Sequence, residues 1–213
     1  HHLLQLLPPF LLRPMIQNEK EKLSYCLGAN IGMSLQSQGL EDLDVKNFTE
    51  ALNDVLSKAE LKINTEEINN YLQAYFGKIQ QEQQNKAVEE GKSFLESNKK
   101  KTGVTTLESG LQYEVLTEGN GAKPKASDTV TTHYHGTLIS GEVFDSSVER
   151  GQPASFPVNG VIAGWTEALQ IMPVGSKWKL YVPSELAYGE RGAGQIIGPY
   201  STLIFEVELL SIN

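Results

Sequence analysis

Between Thr132 and Trp165 the side chains able to do chemistry stand in a short, mostly apolar setting. A strand expected from Val130 to Leu138 puts Thr132, Tyr134 and Gly136 on one face and Thr131, His133 and His135 on the other, because strand side chains alternate. A Ser140-Gly141 turn follows, where Gly supplies the freedom a tight reversal needs. Val143-Phe144-Asp145 then sets an aromatic ring beside a carboxylate, and Val161-Ile162 leads through Ala163-Gly164 to Trp165. These residues make a poor chemical reactor. They suit an apolar cup with a few polar atoms, the composition of a small-ligand pocket.

Reactive alternatives fail on spacing. His133 and His135 share a strand face, but a metal site needs a third ligand and a supporting shell. No His or Cys pair stands nearby, so a solvent-facing pair is expected and neither metal nor cofactor is called for. Asp145-Ser146-Ser147 lacks the Gly-x-Ser-x-Gly elbow of a hydrolase. Gly91-Lys92-Ser93 imitates the end of a phosphate loop, with Lys86 where the first Gly is required and a helical setting. Cys26 lies among apolar helix positions without a polarising neighbour, which reads as a small buried hydrophobe. As the sole cysteine it excludes an intramolecular disulfide.

The elements that must position the cup fall into two kinds. From about Asn18 the period is helical: Leu23, Leu27, Ile31 and Leu35 form one stripe, and Gly28 and Gly32 a smooth patch beside it. Gly39 ends that helix, and Asp44 caps a second with its stripe at Val45, Phe48, Leu52, Val55 and Ala59. Asn64 starts a third, with Glu67 at the capping-box position and an apolar seam at Ile68, Leu72, Tyr75 and Ile79. No Pro interrupts residues 64–101, a stretch of good helix formers that would span about 55 Å at 1.5 Å per residue.

Lys99 to Thr106 reads as a charged hinge. Beyond it the period becomes two: Leu111, Tyr113 and Val115 alternate with Gln112 and Glu114. Then come the strand from Val130, a short helix from Thr166 to Ile171, a strand from Trp178 to Val182, a Gly-rich loop from Gly189 to Gly198, and a closing strand from Thr202 to Ile212. In that last strand Leu203, Phe205, Val207 and Leu209 are expected to face the core.

The 213 residues carry a net charge of −8, which argues against non-specific nucleic-acid binding. No apolar run is long enough to span a bilayer. Residues 1–14 start His-His and are rich in Leu and Pro; they read as a vector-derived tail. A natural start at Met15 would make the protein cytoplasmic. Removal of a signal segment would instead make it periplasmic or outer-membrane-associated.

The pocket stretch and the motifs after it resemble the FKBP-type peptidyl-prolyl isomerases. The motifs are Val174-Gly175-Ser176-Lys177, Leu186-Ala187-Tyr188-Gly189, Ile196-Ile197-Gly198-Pro199 and Thr202 to Leu210, in the family's order from about Gly110 to Asn213. Phe94 to Lys101, followed by Glu108 to Tyr113, is similar to the bacterial Mip-type subgroup. The resemblance implies an α+β protein: an all-α homodimerisation domain at 15–63, a long connecting helix at 64–101, and at 102–213 an antiparallel sheet wrapped on a short helix.

It implies a substrate as well, the X-Pro bond of unfolded or partly folded proteins. The pocket carried over position by position is Tyr134, Phe144, Asp145, Val161, Ile162, Trp165, Tyr188, Ile197 and Phe205. Trp165 is its floor, Tyr188 and the Ile162 amide are donors, and Asp145 is held by Tyr134 and Arg150. Ala154, Gly160 and Ala193 depart from the macrolide-binding members at the rim and flap. Two functions follow from the resemblance: an isomerase, or a client-holding chaperone in which catalysis is incidental.

Overall fold

The computed structural model describes residues 13–213. The expected vector-derived tail at 1–14 therefore lies almost wholly outside the described residues. The chain forms two compact units, one up to Asn69 and one from Asn70 to Asn213.

The first unit is helical, and its helices begin where side chains satisfy first-turn amides. Helix α1 (Glu19–Ser37) starts at Asn18, whose Oδ1 accepts from the Glu21 N–H at 2.8 Å. Gly39, at φ +74°, reverses the chain after it. Helix α2 (Val45–Leu56) starts at Asp44, which accepts from the Asn47 N–H at 3.0 Å. Neither helix buries a residue in the single chain. Cys26, expected to be buried, is exposed like its neighbours on α1 in the single chain. The stripes of α1 and α2 instead line an open groove of about 560 Å³ that includes Gly28, Ile31, Gly32, Phe48 and Leu52.

Helix α3 (Thr65–Asn98) runs unbroken for 34 residues, through the polar stretch from Gln80 to Lys86. Asn64 caps it, accepting from the Glu67 N–H at 2.9 Å. Its rise is about 51 Å at 1.5 Å per residue. The buried residues of this helix, Gly91 and Asn98, sit in its last turns.

In the second unit seven strands make one sheet in the order β1-β2-β6-β7-β3-β4, with β5 also paired to β3. They are β1 (Val104–Thr106), β2 (Gln112–Thr117), β3 (Thr129–Leu138), β4 (Val143–Ser146), β5 (Ala154–Pro157), β6 (Lys177–Val182) and β7 (Leu203–Ile212). Every pairing is antiparallel. A one-turn helix, α4 (Ser147–Arg150), follows β4, and α5 (Ala163–Leu169) contributes Trp165, Ala168 and Leu169 to the core. The inward row of β7 is as expected: Leu203, Val207 and Leu209 are fully buried and Phe205 nearly so.

Three local expectations are corrected. The hinge at 99–106 contains β1, because Val104, Thr105 and Thr106 are β-branched and pair with β2. The alternation of β2 fails at its start. Gln112 is buried and Val115 exposed, because the last turn of α3 supplies Gln112 with polar partners. Its Oε1 accepts from Asn98 Nδ2 at 2.8 Å, and its Nε2 donates to the Leu95 carbonyl at 2.9 Å. Finally, the short helix starts three residues before Thr166. The Trp165 and Thr166 amides both donate to the Ile162 carbonyl, and Gly164 fits against Val182, where a Cβ would stand 2.6 Å from Cγ1.

Candidate active site

The site begins with a missing side chain. Gly136 of β3 pairs with Asp145 of β4 on one side and Phe205 of β7 on the other. A Cβ there would lie 2.6 Å from Phe144 Cζ and 2.9 Å from Phe205 Cε1. Its absence lets the two phenylalanines meet edge to face, 5.4 Å between centroids. Phe205 in turn meets Trp165 edge-on at 5.1 Å, and Tyr134 meets Trp165 at 5.2 Å. Such T-shaped pairs suit the ring quadrupoles. Helix α5 presents Trp165 from below, and the indole is only 5 % exposed.

Around this floor lies a cavity of about 450 Å³. Of the expected residues, Tyr134, Phe144, Asp145, Val161, Ile162, Trp165, Tyr188 and Phe205 all line it. Ile197 does not. Its amide and carbonyl pair with Ala193, at 3.2 and 2.8 Å, and its side chain joins the core. Arg150 also stands off the wall, at the end of α4, and acts on the cavity through Asp145.

Sequence reasoning missed Phe156, which lines the cavity and lies 5.4 Å from Trp165. The signal was the alternation Ala154, Phe156 in β5, a strand only four residues long. Ala154 and Gly160, noted as departures, line the same cavity. The His133 and His135 pair is half-buried and lines an open surface groove with Lys177 and Glu206. Their Nδ1 atoms sit 2.9 Å from Ser147 Oγ and 2.8 Å from Ser146 Oγ, so the rings tether the β4–α4 turn to β3.

The one carboxylate on the wall is fixed from two sides. Tyr134 donates its hydroxyl to Asp145 Oδ2 at 2.6 Å, and Arg150 pairs with Oδ1. Arg150 also donates to the Tyr134 hydroxyl at 3.0 Å. Burial pushes the Asp145 carboxyl up, but the donors from Tyr134 and Arg150 outweigh it and hold the group below the usual carboxylate value. Tyr134 moves the other way, raised by burial and then by its bond to Asp145. At neutral pH the arrangement is an ionised, immobile carboxylate and a neutral phenol on an aromatic wall. It can orient and polarise a bound group.

Comparison with known proteins agrees. Residues 120–210 match the family described as FKBP-type peptidyl-prolyl cis-trans isomerase. Residues 20–115 match the family described as the domain amino-terminal to that isomerase. The FKBP-type 22 kDa peptidyl-prolyl cis-trans isomerase of Escherichia coli K12 is 46 % identical over 202 residues, covering 93 % of this chain and 98 % of the relative. The outer membrane protein MIP of Legionella longbeachae is 44 % identical over 205 residues, covering 93 % and 88 %. Among solved structures, FkpA from Escherichia coli superposes with a TM-score of 0.74 at 37 % identity, covering 93 % of this chain and 99 % of that one. With a helical N-terminal domain, a long helix, and an antiparallel sheet around an aromatic cavity, the chain belongs to the FKBP-type peptidyl-prolyl cis-trans isomerases.

Proposed function

We propose that an X-Pro segment enters the cavity with its proline ring over Trp165 and rotates there about the amide bond. The barrier, about 18–20 kcal/mol, is amide resonance. No covalent step is needed if the wall favours the twisted amide over the planar one. A twisted amide has lost conjugation and part of its hydration, so the rings of Phe144, Phe156 and Phe205 suit it. Two donors would hold the substrate carbonyls: the Tyr188 hydroxyl and the Ile162 N–H, which has no backbone acceptor among the described residues. Asp145 would set the polarity around the rotating carbonyl.

The doubly tethered Asp145 on an otherwise largely aromatic and aliphatic wall carries this reading. A protease-coupled assay on a Pro-containing tetrapeptide tests it. Phe144→Ala and Asp145→Ala should each lower kcat/KM by about tenfold or more, a loss of about 1.4 kcal/mol in transition-state binding. Unchanged efficiency in both would overturn the assignment. The small side chains of Ala154 and Gly160 leave little rim for a macrolide inhibitor to cover, so Ala154→Phe should tighten inhibition.

A second part of the reading concerns α1 and α2. We propose that two copies join through these helices, and that the resulting base, with its apolar surface, also holds partly folded clients. The support is the unburied apolar groove of the first unit. Light scattering should give a dimer at micromolar concentration, and a monomer would remove the proposal. The isolated N-terminal unit should bind an unfolded client without isomerase activity.

A further inference from the structure

The loop from Pro183 to Thr202 joins β6 to β7 and carries Tyr188 to the cavity. It is pinned along its length. The Leu186 and Ala187 amides turn back on Pro183 and Ser184 at 2.9 and 3.0 Å, and the Tyr200 N–H donates to the Gly189 carbonyl at 2.9 Å. Tyr200 holds φ at +57°, in the left-handed region that a side chain makes costly. Both ends of this loop rest beside the same stretch of helix. Pro183, Tyr200 and Thr202 face Val88, Gly91 and Leu95 of α3 across a groove of about 490 Å³.

The closest approach is at Gly91. This residue is buried mid-helix, where Gly is about 1 kcal/mol worse than Ala. The packing explains the choice: a Cβ would stand 2.5 Å from Thr202 Oγ1. Thr202 is itself buried just before the closing strand. We infer that the last turns of α3 set the position of the Tyr188 loop through the Gly91–Thr202 contact, so that Gly91 is a positioning residue for the isomerase reaction. A helix outside the sheet thereby becomes part of the catalytic apparatus. The inference rests on the reading of Tyr188 as a substrate contact and extends it to what places that residue.

The test uses the full chain and the tetrapeptide assay, well below the melting temperature. Gly91→Ala should lower kcat/KM about five- to tenfold with its circular dichroism unchanged. Adding Thr202→Ala removes the offending Oγ1 and should restore most of the loss. A Gly91→Ala enzyme with unchanged kcat/KM, or a loss that Thr202→Ala does not restore, overturns the inference.

Tyr200→Gly loosens the same end of the loop without altering Gly91, by removing the ring that faces the helix and relieving its left-handed backbone. It should also lower kcat/KM several-fold, and it decides the matter if Gly91→Ala does not fold; an unchanged value then counts against the inference. Tyr188→Phe separates the two readings. If it leaves catalysis intact, the substrate-contact role of Tyr188 fails, whatever the Gly91 result. If it lowers catalysis, Gly91→Ala should cost less than twofold more in that background. A full additional loss would show that the helix does not act through Tyr188.

Discussion

The two units of this chain use the same apolar residue types to opposite effect. From Asn70 onward, Leu111, Leu169, Met172, Leu180 and Leu203 are sealed from water in one core. In the first unit Leu23, Leu27, Ile31, Leu52 and Val55 stay exposed, although they are spaced as regularly. The sheet covers itself, because β3 and β7 wrap α5 and each strand has a neighbour. Two helices of 19 and 12 residues, among the described residues, bury no side chain in the single chain. Periodicity therefore reports which face of an element seeks cover, and not whether the same chain supplies it. Folding of the first unit should then depend on concentration, as for proteins whose partner is another copy.

Phe48→Asp puts a charge into the groove of the first unit, and it should weaken the proposed dimer about a hundredfold or more. Sedimentation would show monomers, helical circular dichroism would fall, and tetrapeptide turnover would stay within twofold. An unchanged dimer would mean that this groove is not its interface.

A smaller effect tests where the second unit begins. Gln112→Ala leaves Asn98 buried without its acceptor and should destabilise the isomerase unit by about 1–3 kcal/mol in a urea titration. A neutral result would mean that the end of α3 is merely laid against the sheet. By the same argument a fragment starting near residue 70 should be more stable than one starting at Thr102.

Smaller still is the acid dependence. The carboxyl of Asp145 is lowered on folding, so its contribution is complete above the ordinary value of 3.8 and is lost as pH falls through the lower folded value. Partial exposure keeps this contribution modest. The Asp145→Asn chain should lack that acid limb when stability is followed down through this range; an identical limb would locate the titration elsewhere. Last, Val148 is 57 % exposed on the second unit, a lone apolar surface residue of the ordinary kind. Val148→Ser should shift stability by no more than about 0.5 kcal/mol, in contrast to Phe48→Asp. A large loss would mean that the second unit also hides an interface.

What the sequence disclosed follows the range of the forces involved. Asp44 and Asn64 were readable as caps because each acts on amides within three residues. The inward row of β7 was readable because a long strand states its alternation several times over. Phe156 was not, since four residues of β5 scarcely establish a period and only the pairing with β3 brings its ring to Trp165. The alternation of Leu111, Tyr113 and Val115 sets Gln112 on the outward face, yet Gln112 and Asn98 are both buried. Their burial is a property of the pair, fourteen residues apart, and is invisible in either one. Ile197 shows the converse: motif order brought it near the cavity, and one backbone bridge with Ala193 turned it into the core.

The placing of the indole rings has a practical side. The chain has two tryptophans, and both belong to the second unit. Trp165 is the cavity floor, and Trp178 is stacked on Tyr113 with 4.2 Å between centroids. Excitation at the red edge of the absorption band therefore lights one half of the molecule and leaves the other dark. The peptide-bond signal in the far ultraviolet, by contrast, is dominated by the helices. A melting curve recorded both ways on one unlabelled sample separates loss of the aromatic core from loss of the helices, α3 included, without mutation. A proline peptide settling on Trp165 should change the emission while the helical signal stays still.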